Sequence, residues 1–136
     1  MVDIEIQYTG DLHTTATHGP SGDSFPTDAP VDNQGKGEHF SPTDLVPTAL
    51  GSCMLTIMGI KARDKGIPLA GAVVRARKTM STVPRRRIGL IELDFQLPSG
   101  IPATDRPVLE SAARDCPVAG SLAEDVEVRM TFTYPD

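Results

Sequence analysis

The sequence predicts an α+β fold in which a mostly antiparallel sheet is covered by helices and one long central helix is buried. Two observations carry this prediction. Strand-like alternation appears at both ends of the chain and in its middle, and a single long apolar helix pattern separates the first strands from the later ones. The 136 residues fit one domain, residues 1–136, with the element order β-β-(β)-α-β-β-α-α-β.

The N-terminal segment "VDIEIQYTG" alternates apolar and polar side chains, which predicts a half-buried strand with one apolar face formed by Val2, Ile4, Ile6 and Tyr8. After a turn at Gly10-Asp11, the Thr-rich segment "LHTTATH" predicts a second strand. A short third strand is expected around Ser24–Asp28. Residues 29–40 are rich in Gly, Pro, Asp and Asn and predict a long loop, a kind of segment that often carries function.

The central helix has a well-marked start. Ser41 can serve as the N-cap, Pro42 suits the first helical position, and Asp44 stands where a capping box places an acid. Apolar residues follow on most sides, which predicts a helix buried on most sides: Leu50, Cys53, Met54, Ile57, Met58, Ile60 and Ala62. The helix should end at Gly66 and be kinked or loosened at Pro47.

The C-terminal half predicts a hairpin, two helices and a last strand. "LAGAVVRARKTMS" and "RRRIGLIELDFQLP" are expected to be long strands joined by a turn at "STVP". "ATDRPVLESAARD" predicts an amphipathic helix capped by Thr104 or Asp105, and "CPVAGSLAED" predicts a short helix with Pro117 at its first position. "VEVRMTFTY" predicts a strand with Val126, Val128, Met130 and Phe132 facing inward.

Composition excludes several classes of function. The net charge of −5 argues against nucleic acid as the main partner, and the one dense basic cluster is Arg85, Arg86 and Arg87. We expect no membrane partner, because no apolar run approaches the roughly 18 residues of a span, and no signal peptide. A cytoplasmic location follows, where thiols stay reduced. Neither cysteine lies in a CxxC motif, so we expect no metal site and no cofactor.

The two cysteines allow two interpretations each. Cys53 lies on an apolar helix face and is either a small buried hydrophobe or a reactive thiolate. Cys116 precedes Pro117 and should occupy an N-cap, where free amides and the helix dipole stabilise a thiolate, or where it caps without chemistry. Their spacing does not decide whether the two meet.

The two cysteine motifs together resemble the OsmC-like family, which includes osmotically inducible protein C and the organic hydroperoxide resistance proteins. The first motif is the helix start Ser41-Pro42-Thr43-Asp44-Leu45, followed by Ala49, Gly51 and Cys53, then Lys65-Gly66 and Val73-Val74. The second is Cys116-Pro117-Val118 with Leu122. The order of elements agrees along nearly the whole chain.

This resemblance implies an OsmC-like fold and an intertwined homodimer, with two long central helices between sheets built from both chains. It also implies reduction of organic hydroperoxides in oxidative-stress defence. In that mechanism Cys53 is the peroxidatic thiolate, Cys116 is the resolving cysteine, and an external dithiol resets the pair. The alternative is a non-catalytic OsmC-like protein that binds a small apolar ligand at the dimer interface.

The chain departs from the family's hydroperoxide reductases in the groups that activate the thiolate. Those proteins use an Arg from the N-terminal strands, oriented by a Glu ten residues before the reactive cysteine. Here Thr43 stands at that place, Asp44 follows it, and no Arg precedes Arg63. The resemblance is therefore closer to the less characterised OsmC-like branch. The candidate replacement cations are His13, His18, Lys36, or an Arg of the 85–87 cluster reaching across the dimer.

Overall fold

The computed structural model describes all of residues 1–136 and confirms the α+β class. It contains two α-helices and two three-stranded sheets. The chain divides into two compact units, Met1–Val46 and Pro47–Asp136, and the boundary falls inside the long helix α1 (Pro42–Lys65).

The first unit is an antiparallel sheet in the order β1-β2-β3, formed by β1 (Ile4–Gly10), β2 (His13–His18) and β3 (Ser24–Asp28). All three strands were predicted, the third with its observed bounds. The predicted burial of one face of β1 is not observed within one chain. The side chains of Ile4, Ile6 and Tyr8 on that face are 58%, 63% and 64% exposed. This apolar row is therefore left uncovered by the chain's own residues.

The predicted loop after β3 folds back tightly on itself and contains one 3-10 turn, Val31–Asn33. The backbone amides of Asn33 and Gly35 both donate to the Pro30 carbonyl, at 2.9 and 3.0 Å. A Cβ at position 35 would collide with the backbone of Ala29, so only glycine fits this return. The buried Asp28 anchors the loop, since its Oδ2 accepts the backbone amides of Lys36 and Glu38 at 3.2 and 3.0 Å.

Helix α1 begins with the capping box that the sequence predicts. The Ser41 amide donates to Asp44 Oδ2 at 2.9 Å, and the Asp44 amide donates to Ser41 Oγ at 3.1 Å. The helix continues through Pro47 and ends before Gly66, whose φ of +67° suits a glycine C-cap.

Only one stripe of α1 is buried within the chain, which differs from the expectation of burial on most sides. The buried residues are Pro47, Leu50, Gly51, Met54, Met58 and Ala62. Ile57 is half-buried and Ile60 is 52% exposed. By length and composition α1 could also cross a membrane, so the expectation that no such run exists was wrong. One such helix is weak evidence for a membrane span, because the core helix of a soluble protein passes the same test.

The second unit is built on a sheet with the order β4-β5-β6, formed by β4 (Val73–Ser81), β5 (Arg87–Gln96) and β6 (Glu127–Thr133). Strands β4 and β5 form the predicted hairpin, while β5 and β6 run parallel. The predicted inward residues of β6 alternate as expected, with Val128, Met130 and Phe132 less exposed than their neighbours. Phe132 stacks on Phe95, with ring centroids 4.6 Å apart.

The segment between β5 and β6 differs from the prediction in two details. Helix α2 (Arg106–Arg114) has Asp105 at its N-cap position, but neither Thr104 nor Asp105 makes a side-chain cap bond, and the Asp105 carboxylate lies 3.7 Å from Lys65 Nζ instead. The short helix predicted after Cys116 is only a 3-10 turn, Ala119–Ser121, because the chain becomes extended at Leu122. Gly120, a poor helix former, lies within it.

Candidate active site

Cys53 lies two positions after Gly51, where α1 lies against the second sheet. A Cβ on Gly51 would lie 3.1 Å from Val74 Cγ1 and 3.6 Å from Leu93 Cδ2, so glycine lets the helix lie directly against β4 and β5. Met54, next to Cys53, is buried, whereas Cys53 itself is half-buried. The thiol therefore lies at the border between the core and the surface.

Cys116 is placed by the tight turn that follows α2. Its amide donates to the Ala113 carbonyl at 3.3 Å, and its sulfur accepts the Ala119 amide at 3.3 Å. The residue is only 2% exposed. The predicted capping contact between the sulfur and a free amide is thus present, although the turn that it caps is short.

The two thiols meet: Cys53 and Cys116 are both free, and their side chains are within hydrogen-bonding distance. Burial raises the pKa of Cys116 most strongly, and the hydrogen bond and charge of the Cys53 thiol raise it further. The amides of Ala119 and Val118 lower that pKa but do not compensate. Of the two interpretations that the sequence leaves open for Cys116, the pKa direction favours a cap whose thiol is protonated, because burial outweighs the amides.

The two sulfurs therefore differ in burial and in chemical surroundings. The raised pKa of Cys116 favours its protonated thiol, which lies in hydrogen-bonding contact with the side chain of Cys53. Cys53 is also the more accessible of the two. A pair of this kind can oxidise to a disulfide after attack by the exposed sulfur.

The cluster of Arg85, Arg86 and Arg87 lies at one end of the β4–β5 hairpin. Gly51, which is two residues before Cys53, packs against the other end. The chain from Leu93, which faces Gly51, to Arg87 covers six positions of β5, or about 20 Å at the usual rise of a strand. Arg87 is also engaged, since it donates to the carbonyls of Val83 and Asp125 at 2.9 and 3.1 Å. Within one chain, the backbone of the cluster therefore lies well away from Gly51.

The other predicted supporting residues have partners within the first unit. Asp44 forms the capping box of α1. His18 Nδ1 lies 2.6 Å from Ser21 Oγ, and the backbone of Lys36 binds Asp28. His13 belongs to a cluster with Asp28 and Glu38 that the sequence analysis missed.

Arg114 is the charged residue of α2 that lies nearest to Cys116 in the sequence. Its guanidinium lies over the ring of Phe132, with Cζ 5.7 Å from the ring centroid. No arginine or lysine is among the groups that shift the pKa of Cys116. The second unit also has an open groove on the side of α1 lined by Leu55, Gly59, Leu69 and their neighbours, but neither cysteine lines it.

The family model of the OsmC-like proteins matches residues 35–131, which include both cysteines. The chain belongs to the OsmC-like protein family. A comparison with curated proteins found no match.

Solved structures of the family share this fold. A protein from Psychrobacter arcticus, described provisionally as an osmotic stress induced and detoxification response protein, is 42% identical with a TM-score of 0.92, over 98% of this chain and 96% of that one. The organic hydroperoxide resistance protein OsmC of Legionella pneumophila is 14% identical with a TM-score of 0.78, over 98% and 96%. OhrB, the organic hydroperoxide resistance protein of Bacillus subtilis, is 14% identical with a TM-score of 0.72, over 98% of both chains.

We expect mild oxidation by diamide to link Cys53 to Cys116 within one chain, because the two thiols already lie in hydrogen-bonding contact. Peptide mapping should find the Cys53–Cys116 peptide, and a non-reducing gel should show a chain of single mass. In Cys116→Ser the intrachain link cannot form. A disulfide that joins two chains in the wild-type protein would contradict this placement of the thiols.

Proposed function

We propose that the protein is a thiol-dependent reductase of organic hydroperoxides that acts in oxidative-stress defence. The observation that carries the proposal is the contact between a half-buried Cys53 and a buried Cys116, whose pKa is raised by burial. Membership of a family that includes hydroperoxide resistance proteins supports the same assignment.

The proposed reaction needs only the two sulfurs and a reductant. The Cys53 thiolate attacks the outer peroxide oxygen, the O–O bond breaks, and the substrate leaves as an alcohol after taking up a proton. Cys53 is then a sulfenic acid, and attack by the Cys116 sulfur expels water and forms the disulfide. An external dithiol reduces that disulfide by exchange and returns both thiols.

An organic rather than an inorganic peroxide fits the surroundings of Cys53. Its helical neighbours Leu50, Met54 and Ile57 are apolar, so a hydrocarbon tail gains more from this environment than hydrogen peroxide does. A cytoplasmic location, where dithiol reductants are available, belongs to the same proposal.

The proposed assembly is an intertwined homodimer. Two apolar surfaces that one chain leaves bare support it: the β1 row of Ile4, Ile6 and Tyr8, and the side of α1 that carries Ile60. Apolar surface of this extent is typical of a contact with another protein. The partner chain would also bring a second arginine cluster. In this proposal, Arg85 or Arg86 of that second cluster is the cation that stabilises the Cys53 thiolate.

We expect the wild-type protein to consume cumene hydroperoxide with dithiothreitol as reductant, and Cys53→Ser to reduce the rate to the uncatalysed background. Cys116→Ser should lose activity during turnover, because an unresolved sulfenic acid oxidises further, and mass spectrometry should find sulfinic acid at Cys53. Ser52→Ala, which changes an exposed neighbour on α1, is the matched control and should retain the wild-type rate.

An equal rate in wild type and Cys53→Ser would contradict the proposal and favour the non-catalytic binding protein. The double variant Arg85→Gln/Arg86→Gln tests the source of the activating charge. It should lower the rate if the partner's cluster acts on Cys53, and an unchanged rate would remove the cluster from the mechanism.

We expect light scattering at micromolar concentration to give twice the 14.5 kDa chain mass, because the bare apolar surfaces of β1 and α1 need a cover. Ile6→Lys, which places a charge in the middle of the β1 row, should weaken the dimer. Thr9→Lys, an exposed polar position of the same strand, should not. A stable folded monomer of the wild-type chain would contradict the assembly.

A further inference from the structure

A cluster of three ligating side chains lies in the first unit, where β2, β3 and the loop after β3 meet. His13 Nε2 is 3.5 Å from Asp28 Oδ1 and 3.8 Å from Glu38 Oε1. One ligating atom from each of the three residues lies within 4.8 Å of those of the other two. The cluster thus brings together His13 at the start of β2, Asp28 at the end of β3 and Glu38 in the loop that follows.

Asp28 contributes an observation that packing does not explain. The residue is 1% exposed, and its Oδ2 accepts the amides of Lys36 and Glu38. Its Oδ1 is buried with no hydrogen-bond partner, although a buried carboxylate oxygen normally has one. The unpartnered oxygen is the one nearest to His13 Nε2, so it points into the cluster.

The ring of His13 is oriented as that of a metal ligand. Its Nδ1 lies 2.8 Å from the Asp11 carbonyl, and because a carbonyl only accepts, Nδ1 carries the proton and donates it. In the neutral ring, Nε2 then presents a lone pair toward the two carboxylates. Metal-bound histidines are commonly held in this way, with the second ring nitrogen donating to a carbonyl.

We propose that His13, Asp28 and Glu38 bind a zinc-like divalent transition-metal ion through Nε2, Oδ1 and a Glu38 carboxylate oxygen. Tetrahedral zinc with bonds of about 2.0–2.2 Å holds its ligand atoms about 3.3–3.5 Å apart, so His13 Nε2 and Asp28 Oδ1 already stand at the required spacing. Two carboxylates balance the charge of the ion, and one nitrogen with two oxygens leaves the fourth position for water.

The exposed Glu38 completes the site from the loop, so binding of the ion fastens residues 36–38 to β2 and β3. His39 is close by, with its ring 6.0 Å from that of His13, but its ring is not part of the cluster. The site uses neither cysteine.

The test is zinc binding at pH 7.5 by competition with a chromophoric chelator, in a full-length Cys53→Ser/Cys116→Ser background that removes the thiols as ligands. One zinc per chain is expected. His13→Gln and Glu38→Gln should each weaken binding by at least about 10-fold, since even loss of a residue that only orients a ligand costs that much. His18→Gln, at the other end of β2, is the matched control and should bind as the parent does.

Nitrogen NMR of the His13 ring gives a second readout that a merely structural role would not move. Zinc should shift the Nε2 resonance and leave Nδ1 protonated, while circular dichroism checks that each variant is folded. Absence of binding, or equal affinity in the parent, His13→Gln and Glu38→Gln, would overturn the site. Preference for Mg²⁺ or Ca²⁺ over Zn²⁺ would overturn the assignment of the ion.

Discussion

The contact between the sulfurs of Cys53 and Cys116 is the interaction on which the functional account depends. Two separate pieces of local structure create it. Gly51 allows α1 to lie against Val74 and Leu93, and the turn after α2 directs the Cys116 sulfur inward onto the Ala119 amide. Burial then raises the pKa of Cys116, and in the proposed reaction Cys53 is accordingly the attacking sulfur and Cys116 the resolving one.

Local rules predicted most of the fold because the interactions concerned are local. The capping box of Ser41 and Asp44, the glycine end of α1 and the alternation of β6 each depend on residues a few positions apart. The predictions of a side-chain cap for α2 and of a short helix after Cys116 were wrong. The Asp105 carboxylate pairs with Lys65 instead of capping, and the chain is extended at Leu122. The burial of the β1 row could not be predicted from the sequence of one chain, because it depends on what packs against that row.

The candidate site was predictable only in part. The family motifs marked Cys53 and Cys116, but sequence spacing could not show that burial overrides the amides at Cys116. The arginine cluster is distant from Gly51 because of the register in which β4 and β5 pair. The sequence of the hairpin does not determine that register. The cluster of His13, Asp28 and Glu38 was not predicted, because only the folded sheet and loop bring these three residues together.

The most direct test of the central claim is the rate at which each cysteine is alkylated by iodoacetamide between pH 5 and 10, followed by peptide mass spectrometry. The single variants Cys53→Ser and Cys116→Ser separate the coupled titrations. The account predicts that Cys53 reacts faster at neutral pH, and that the apparent pKa of Cys116 lies above the ordinary thiol value of about 8.5, even when Cys53 is absent. Alkylation of Cys116 as fast as that of Cys53 at pH 7 would contradict it.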